Sequence, residues 1–578
     1  MATAQLVFPR LRGRALDRER TIALRVPNEG AVIWVLSFVS YIAVASYLVF
    51  HLHYMINDAY TRVDNAFNIL FSRDPHLGAI GFVWPPLPSF FDMPLVALKG
   101  LWPPLATQGF AGSIEAAAFS AGTVVLLNAG LRWAGVVRVM RWIICLIWAV
   151  NPMVVIYAAQ GMSEAPFIFF FVGSILVFLR WSESRRAVLL PVMGLLAGAA
   201  ALCRVEALVL AFVMGVCVIV QSWGHGGGWR KVETEALMYG LPSLVVISLW
   251  LGTAAILFHD PLYLIHGNGV HFVPQSSLAS PTVVASAAPS IQLTAASDVP
   301  GIVKVVTLGE AIQRVFTHVM FIYPAIVALA AVLLGRLVTR SGRVAAICLL
   351  MLGVAIPALD VHLLNIGLVG QILRYQISVI PFAFLLGIYV LRSLKSTYPV
   401  FSSAVAVALV LVFGLSNVIT ALDLGDPQLA EEEAPVARAL ITDKPLEPAG
   451  DYGAFLTGPE IVAQLLKLDK DNGTILCDSS TCFALNMVAP DPKLFLITSD
   501  RNFEAAAAQP RTHGVEYFLV PQPGGFGAFD RLNELYPSLW QNGARFAKLV
   551  GSGRGGGPEQ NWRLYRITGP TGIGLQGR

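Results

Sequence analysis

Asp58, Glu115, Glu164, Arg204, Glu206, His259, Asp260, Asp360, His362 and Arg374 are the residues of this chain best placed to do chemistry. Each falls at or near the end of a long apolar run, and the middles of nearly all those runs carry no charge. A carboxylate accepts a proton from a reacting group, and a guanidinium holds an oxyanion. Gathered where apolar segments meet water, such groups point to a reaction at a membrane interface. A proton-coupled carrier keeps carboxylates or broken helices near the bilayer midplane instead. His259, Asp260, His271 and His362 offer ligands for a divalent cation, but their spacing matches no fixed metal motif.

The sharpest local signal is Asn57-Asp58-Ala59-Tyr60-Thr61-Arg62-Val63-Asp64-Asn65-Ala66-Phe67, a few residues after the first apolar run. Val63, Ala66, Phe67, Leu70 and Phe71 recur at helical spacing, which predicts an amphipathic helix lying along the membrane surface with Asp58 at its N-terminus. Asn57 or Asp58 serves equally well there as a plain helix cap. Arg62 and Asp64 read as solvated or pairing residues. Phe71–Leu77 and Phe82–Pro88 are too rich in proline for one helix and too apolar for a free linker, so they are expected to pack against the rest of the molecule.

The elements that must position these residues follow from composition. Of 578 residues 13% are charged and 56% hydrophobic, against about a quarter charged in soluble proteins. That excludes a disordered chain, a disulfide-framework toxin and a cytosolic enzyme, and no continuous basic stripe suggests a nucleic-acid partner. About eleven apolar runs are long enough to cross a bilayer core of about 30 Å: 31–53, 112–131, 141–158, 165–181, 187–203, 206–222, 236–258, 315–335, 344–361, 375–391 and 399–421. Basic loops stay on the cytoplasmic side. The arginines from Arg10 to Arg25, then Arg132, Arg138 and Arg141, then Arg180, Arg185 and Arg186, then Arg230 and Lys231, then Arg336, Arg340 and Arg343, then Arg392 and Lys395 all fall on alternate loops. This predicts a multi-pass plasma-membrane protein with residues 1–30 cytoplasmic, a membrane domain over 31–424 with long outer loops at 54–111 and 259–314, and residues 425–578 extracytoplasmic. The first run has no cleavage site and reads as a retained signal anchor.

The last part is acidic, with 18 acidic and 14 basic residues, and opens on Glu431, Glu432 and Glu433. From about Asn472 it alternates β-rich runs (Thr474–Cys477, Lys493–Thr498, Tyr517–Val520, Phe546–Val550, Trp562–Ile567) with helix-like stretches such as Phe503–Ala508, predicting a small α/β domain. Cys477 and Cys482 fit a disulfide in an oxidising compartment, while Cys145, Cys203, Cys217 and Cys348 fit packing in the apolar runs. The glycines near Gly524, Gly525 and Gly527 and around Gly553 and Gly555–Gly557 read as turns, with no dinucleotide-binding pattern.

Several of these features together resemble a family. They are the acidic residue after the first run, the surface helix, Gly161-Met162-Ser163-Glu164, Leu202-Cys203-Arg204-Val205-Glu206, His259-Asp260-Pro261-Leu262-Tyr263, and Arg374-Tyr375 before Pro381. In this order and outer position they look like the multi-span GT-C glycosyltransferases, such as protein O-mannosyltransferases, aminoarabinose transferases and mycobacterial arabinosyl- and mannosyltransferases. The resemblance covers roughly residues 31–421 and implies an α-helical polytopic fold. It also implies transfer of a sugar, usually with inversion, from a polyprenyl-phosphate donor to a hydroxyl of a lipid, glycan or protein acceptor.

By position, Asp58 matches the family's catalytic carboxylate and is the expected base, with Asp64 in reserve. Arg374 and Tyr375 are expected to hold the donor phosphate, with Arg204, Arg62, Glu164 and Glu206 also binding substrate; Glu164 would orient the acceptor or a divalent cation. Structural alternatives stand beside each: a snorkelling Arg374, an Arg204–Glu206 ion pair that only joins helices, and a Glu164 favoured by its helix dipole. Two other functions compete, a lipid or solute transporter and a non-catalytic envelope assembly protein. The Ala-, Gly- and Arg-rich composition fits a GC-rich bacterial source.

Overall fold

All of the apolar runs are helical, because a chain in lipid has to satisfy its backbone hydrogen bonds internally. The computed structural model describes residues 29–571 except 82–83, 227, 263–305, 339–342, 367–371, 396–398, 428, 431, 445–452, 469–472, 480–481, 483, 524–526, 528–529 and 555–560. The arginines before residue 29, Phe82, Val83, Tyr263, His271, Arg340, Glu431, Asn472, Gly524, Gly525 and Gly555–Gly557 therefore lie outside the described residues, as does most of the 259–314 loop.

Helix α1 (Glu29–Ser46) runs on as a π-helical turn to His51. It is followed by α2 (Asn57–Phe71) and α3 (Leu87–Val96) in the first outer loop and by α4 (Phe110–Trp133). Next come α5 (Arg138–Ala149), α6 (Pro152–Ala159), α7 (Glu164–Ser184), α8 (Leu189–Ala201), α9 (Ala207–Gly224) and α10 (Trp229–Phe258). The series resumes with α11 (Leu308–Ile322), α12 (Ala325–Val338), α13 (Arg343–Asn365), α14 (Val379–Lys395) and α15 (Pro399–Asp423).

Eight helices among the described residues are long and apolar enough to cross a membrane, and the count reaches ten if each of two bent pairs is one span. The runs 141–158 and 315–335, expected as single spans, are each broken. Helices α5 and α6 meet at 64°, and α11 and α12 at 107°. Proline explains both breaks, since Pro152 and Pro324 lack the N–H that would continue the helix. At the first break Val154 N–H donates to the Asn151 side chain at 3.2 Å, capping α6.

The two ends of the bundle differ. At one end Arg141 donates to both carboxylate oxygens of Glu29 at 3.0 Å, and Arg392 pairs with Glu183 at 2.9 Å and donates to the Trp133 carbonyl at 3.3 Å. The loops read as cytoplasmic thus meet at this end. At the other end sits the C-terminal domain. Its sheet of β1 (Thr474–Cys477), β2 (Phe495–Ile497), β3 (Val515–Pro521), β4 (Ala547–Arg554) and β5 (Asn561–Ile567) has the order β2-β1-β3-β5-β4. Strand β1 is parallel to β2 and β3, and β5 is antiparallel to β3 and β4. Helices Gly453–Leu468 and Phe503–Ala508 accompany the sheet, and a disulfide joins Cys477 to Cys482.

This domain docks on the first outer loop. Arg73 donates to the Thr474 hydroxyl at 2.9 Å and the Lys493 carbonyl at 2.8 Å, Arg501 donates to Asp74 at 2.8 Å, and Asn486 donates to Asn68 at 2.5 Å. The contact constrains topology. Helix α2 follows the first crossing and the domain follows the last, so both lie on one side only if the number of crossings is odd. Among the described helices, nine or eleven satisfies this; eleven requires the 13-residue helix α8 to cross as well.

Arg62 and Asp64, read from sequence as solvated or pairing, are both paired: Arg62 donates to Ser163 and Asp64 accepts from Asn68. Arg62, Asp64 and Asn68 are buried along with Ala59, Tyr60, Val63, Ala66 and Phe67. The C-terminal domain covers Asp64 and Asn68 through Ala484 and Asn486, while Arg62, on another face, is buried against Trp84 and Ser163.

Candidate functional site

Helix α2 starts without a side-chain cap. Its N-cap is Ile56, whose extended backbone (φ −65°, ψ 135°) turns the chain into the helix and whose N–H donates to the Gln160 side chain at 3.0 Å. Asp58, in the first turn, is therefore free to reach outward. It accepts a hydrogen bond from Arg374 Nη2 at 2.6 Å.

Arg374 lies in a 3₁₀ turn, Leu373–Gln376, that leads into α14. Its other nitrogens face Glu432 Oε2 at 3.2 Å and Glu164 Oε1 at 3.9 Å. Three carboxylates from three parts of the chain thus surround one guanidinium. The Arg374 side chain is 9% exposed and that of Asp58 26%, so the pair opens to its surroundings on the Asp58 side.

Glu164 is the first residue of α7 and fully buried. It accepts from Arg204, which also pairs with Glu206 at 2.6 Å. The Tyr375 ring lies 5.7 Å from the Arg204 guanidinium carbon and 5.9 Å from that of Arg374, bridging the two cations. Arg62, one turn along α2 from Asp58, donates to Ser163 at 3.1 Å, and the Ser163 hydroxyl donates to Glu164 at 3.4 Å. A close approach sets this geometry. Gly161 has φ +71°, and a Cβ there would stand 2.6 Å from the Gly112 carbonyl carbon, so α4 reaches the turn before α7 only because glycine occupies the contact.

Of the residues singled out from sequence, Asp58, Arg62, Glu164, Arg204, Glu206, Arg374 and Tyr375 therefore share one network. Asp64 lies on a different face of α2, where Asn68 Nδ2 donates to it at 3.2 Å and the Ala484 backbone of the C-terminal domain also hydrogen-bonds it. Burial pushes the Asp64 carboxyl up to about 7, and these two bonds offset part of that rise. Glu432 and Glu433 were legible only as the acidic opening of the tail. Glu432 faces Arg374, and Glu433 accepts from the Tyr157 hydroxyl at 2.5 Å. The signal that marks them is their place directly after the last apolar run, at the same end as Asp58. Asp360 pairs with Gln376, two residues beyond Arg374.

Among the described residues no arrangement fits a divalent cation. Asp58, Glu164 and Glu432 converge on the Arg374 guanidinium, whose own charge stands where a metal would. Among the described residues no three His, Cys, Asp or Glu side chains are grouped to hold an ion. His259 and His362 are exposed and Asp260 is half-buried.

Comparison of the whole fold with solved structures finds ArnT from Cupriavidus metallidurans, bound to undecaprenyl phosphate, with a TM-score of 0.53 over 92% of this chain and 98% of that one, at 12% identity. The chain has the GT-C fold. Apo ArnT matches this GT-C chain at TM-score 0.49 and 12% identity, over 93% of it and 98% of ArnT. The archaeal oligosaccharyltransferase AglB from Archaeoglobus fulgidus, in complex with an inhibitory peptide and a dolichol-phosphate, matches at 0.42 and 12%, over 94% and 75%. No protein-family model and no curated protein matches the sequence. With its apolar helices, the GT-C fold makes this a multi-pass membrane protein.

Proposed function

We propose that this protein is a membrane glycosyltransferase that moves a sugar from a polyprenyl-phosphate donor to an acceptor hydroxyl, with inversion, on the extracytoplasmic face of the plasma membrane. The N-terminus is then cytoplasmic and the C-terminal domain extracytoplasmic, in keeping with the basic loops at the opposite end. The observation that carries the reading is the Asp58–Arg374 pair, a carboxylate and a guanidinium joined at 2.6 Å at the head of the first outer helix. The undecaprenyl phosphate bound by ArnT, which has the same fold, supports the class of donor.

In this reading the acceptor oxygen attacks the anomeric carbon while the bond from that carbon to the phosphate oxygen breaks. Asp58 takes the hydroxyl proton, and the polyprenyl phosphate leaves as an anion. Arg374 meets that anion, with Tyr375 and Arg204 beside it. In the free protein Asp58 and Arg374 neutralise each other. A donor phosphate competes with Asp58 for the guanidinium, and its arrival frees the carboxylate to act as base. Arg62, Glu164 and Glu206 hold the two arginines and Ser163 in place. The acceptor is a lipid, glycan or protein hydroxyl.

A transfer assay with a radiolabelled polyprenyl-phosphate sugar and purified protein tests this. Asp58→Asn is expected to lower turnover by about 10²–10⁴-fold with folding retained. Full activity in that variant would remove Asp58 from the reaction.

A further inference from the structure

One turn along α2 from Asp58 lies a second polar cluster, of which the transfer step uses only the Arg62–Ser163 bond. Arg62 is 4% exposed, and its guanidinium stacks on the Trp84 ring at 4.5 Å. Nη2 donates to Ser163, but Nε and Nη1 have no hydrogen-bond partner among the described residues. Asp92 Oδ1, Glu115 Oε1 and Ser113 Oγ are equally without partners, in residues that are 1%, 5% and 0% exposed. Asp92 comes from α3, and Ser113 and Glu115 from the start of α4; α2, α3 and α4 pack on one another. The charges of Asp92 and Glu115 act on each other, and that of Arg62 on both.

Buried polar atoms without partners are rare in folded proteins, and several in one place mark a site that a ligand completes. The atoms here select that ligand. Arg62 presents only donors, and the carboxylates of Asp92 and Glu115 present acceptors. An anion, which only accepts, would satisfy Arg62 and leave the acceptor oxygens of Asp92 and Glu115 unpaired, and a cation would meet the reverse. A hydroxyl group donates and accepts through the same oxygen, so vicinal hydroxyls on a ring satisfy both kinds of atom at once.

We propose that Arg62, Asp92, Ser113 and Glu115 form a buried subsite for the hydroxyl groups of an uncharged sugar ring, adjoining the Asp58–Arg374 pair. The proposal rests on the transferase reading and gives it a substrate class, a neutral sugar rather than a uronic acid or an amino sugar. Continuity supports the placement: Arg62 links through Ser163 and Glu164 to Arg374 and so to Asp58. The ring belongs either to the donor or to a glycan acceptor.

The test uses the full-length protein in lipid nanodiscs. Affinity is measured for undecaprenyl phosphate and for the same lipid carrying mannose, glucose, galactose or arabinose. At least one sugar-bearing lipid is expected to bind about tenfold more tightly than the bare lipid. In Asp92→Asn and Glu115→Gln that advantage should fall below about threefold, while binding of the bare lipid persists. In parallel, methyl glycosides of the four sugars, methyl glucuronide and methyl glucosaminide are added to wild-type protein and melting is followed, which needs no variant to fold. A rise in Tm with a neutral glycoside, absent with the two charged ones and lost in the variants, supports the subsite; if the lipid-linked sugars show no advantage, the ring is the acceptor's. No advantage for any lipid-linked sugar together with no rise in Tm overturns the subsite, as does a larger effect of a charged glycoside. Failure of the bare lipid to bind counts against the polyprenyl-phosphate reading, and the glycoside arm still decides the subsite.

Discussion

Asp58 and Arg374 are 316 residues apart in the chain, and their side chains meet at 2.6 Å, the carboxylate at the head of an outer-loop helix and the guanidinium in the turn before α14. Glu432, from the segment that leads into the C-terminal domain, closes on the same guanidinium at 3.2 Å. The membrane bundle, the first outer loop and the tail are thus tied at one point, and the chemistry proposed for the protein is placed there.

Removing Arg374 should therefore destabilise the fold as well as stop transfer. Arg374→Gln leaves Asp58, Glu164 and Glu432 without their shared cation, and breaking a buried pair in this way costs about 3–5 kcal/mol. The double variant Asp58→Asn with Arg374→Gln should recover part of that loss in a thermal melt, because one orphaned charge is gone. Strictly additive losses would mean that the two side chains are not energetically coupled.

Asp64 is expected to act in docking rather than in catalysis. Its carboxyl, raised from 3.8 to about 7 chiefly by burial, keeps its proton in the folded protein where the unfolded chain has lost it. Its contribution to stability is therefore complete below about pH 4 and declines as pH rises through about 7. Asp64→Asn should retain transfer activity and flatten the Tm profile between about pH 4 and 7. Loss of transfer in a folded Asp64→Asn protein would return this residue to the reaction.

Transfer should also survive chelation. With a guanidinium at the focus of Asp58, Glu164 and Glu432, the site already holds a positive charge for the departing phosphate. Turnover in excess EDTA is expected within about twofold of the untreated rate, since no proposed step gains from a cation's Lewis acidity. Loss of turnover on EDTA, restored by magnesium or manganese, would contradict this.

Much of the architecture was legible because it rests on local patterns. The long apolar runs mark the helices, and the strand runs from Thr474 to Ile567 mark the sheet, since both depend on residues near in sequence. The breaks at Pro152 and Pro324 were less legible, because proline inside an apolar run is compatible with either a kink or a clean break. The position of Asp58 singled it out, but its partners depend on contacts across hundreds of residues. Glu432 was only one of three acidic residues opening the tail until the tail was folded back over Arg374, and Arg62 and Asp64 stood open between solvated and paired until Ser163 and the Ala484 backbone were brought against them. Asp92 gave no signal, because a carboxyl group in a proline-rich loop reads as surface until α2 and α4 close over it.

The most direct test of the account is a cryo-EM map of the protein with undecaprenyl phosphate. The account predicts phosphate density about 3 Å from the Arg374 guanidinium, with Asp58 displaced from that guanidinium. Phosphate density at the opposite end of the bundle, beside Arg392 and Lys395, with the Asp58–Arg374 pair intact, would contradict it.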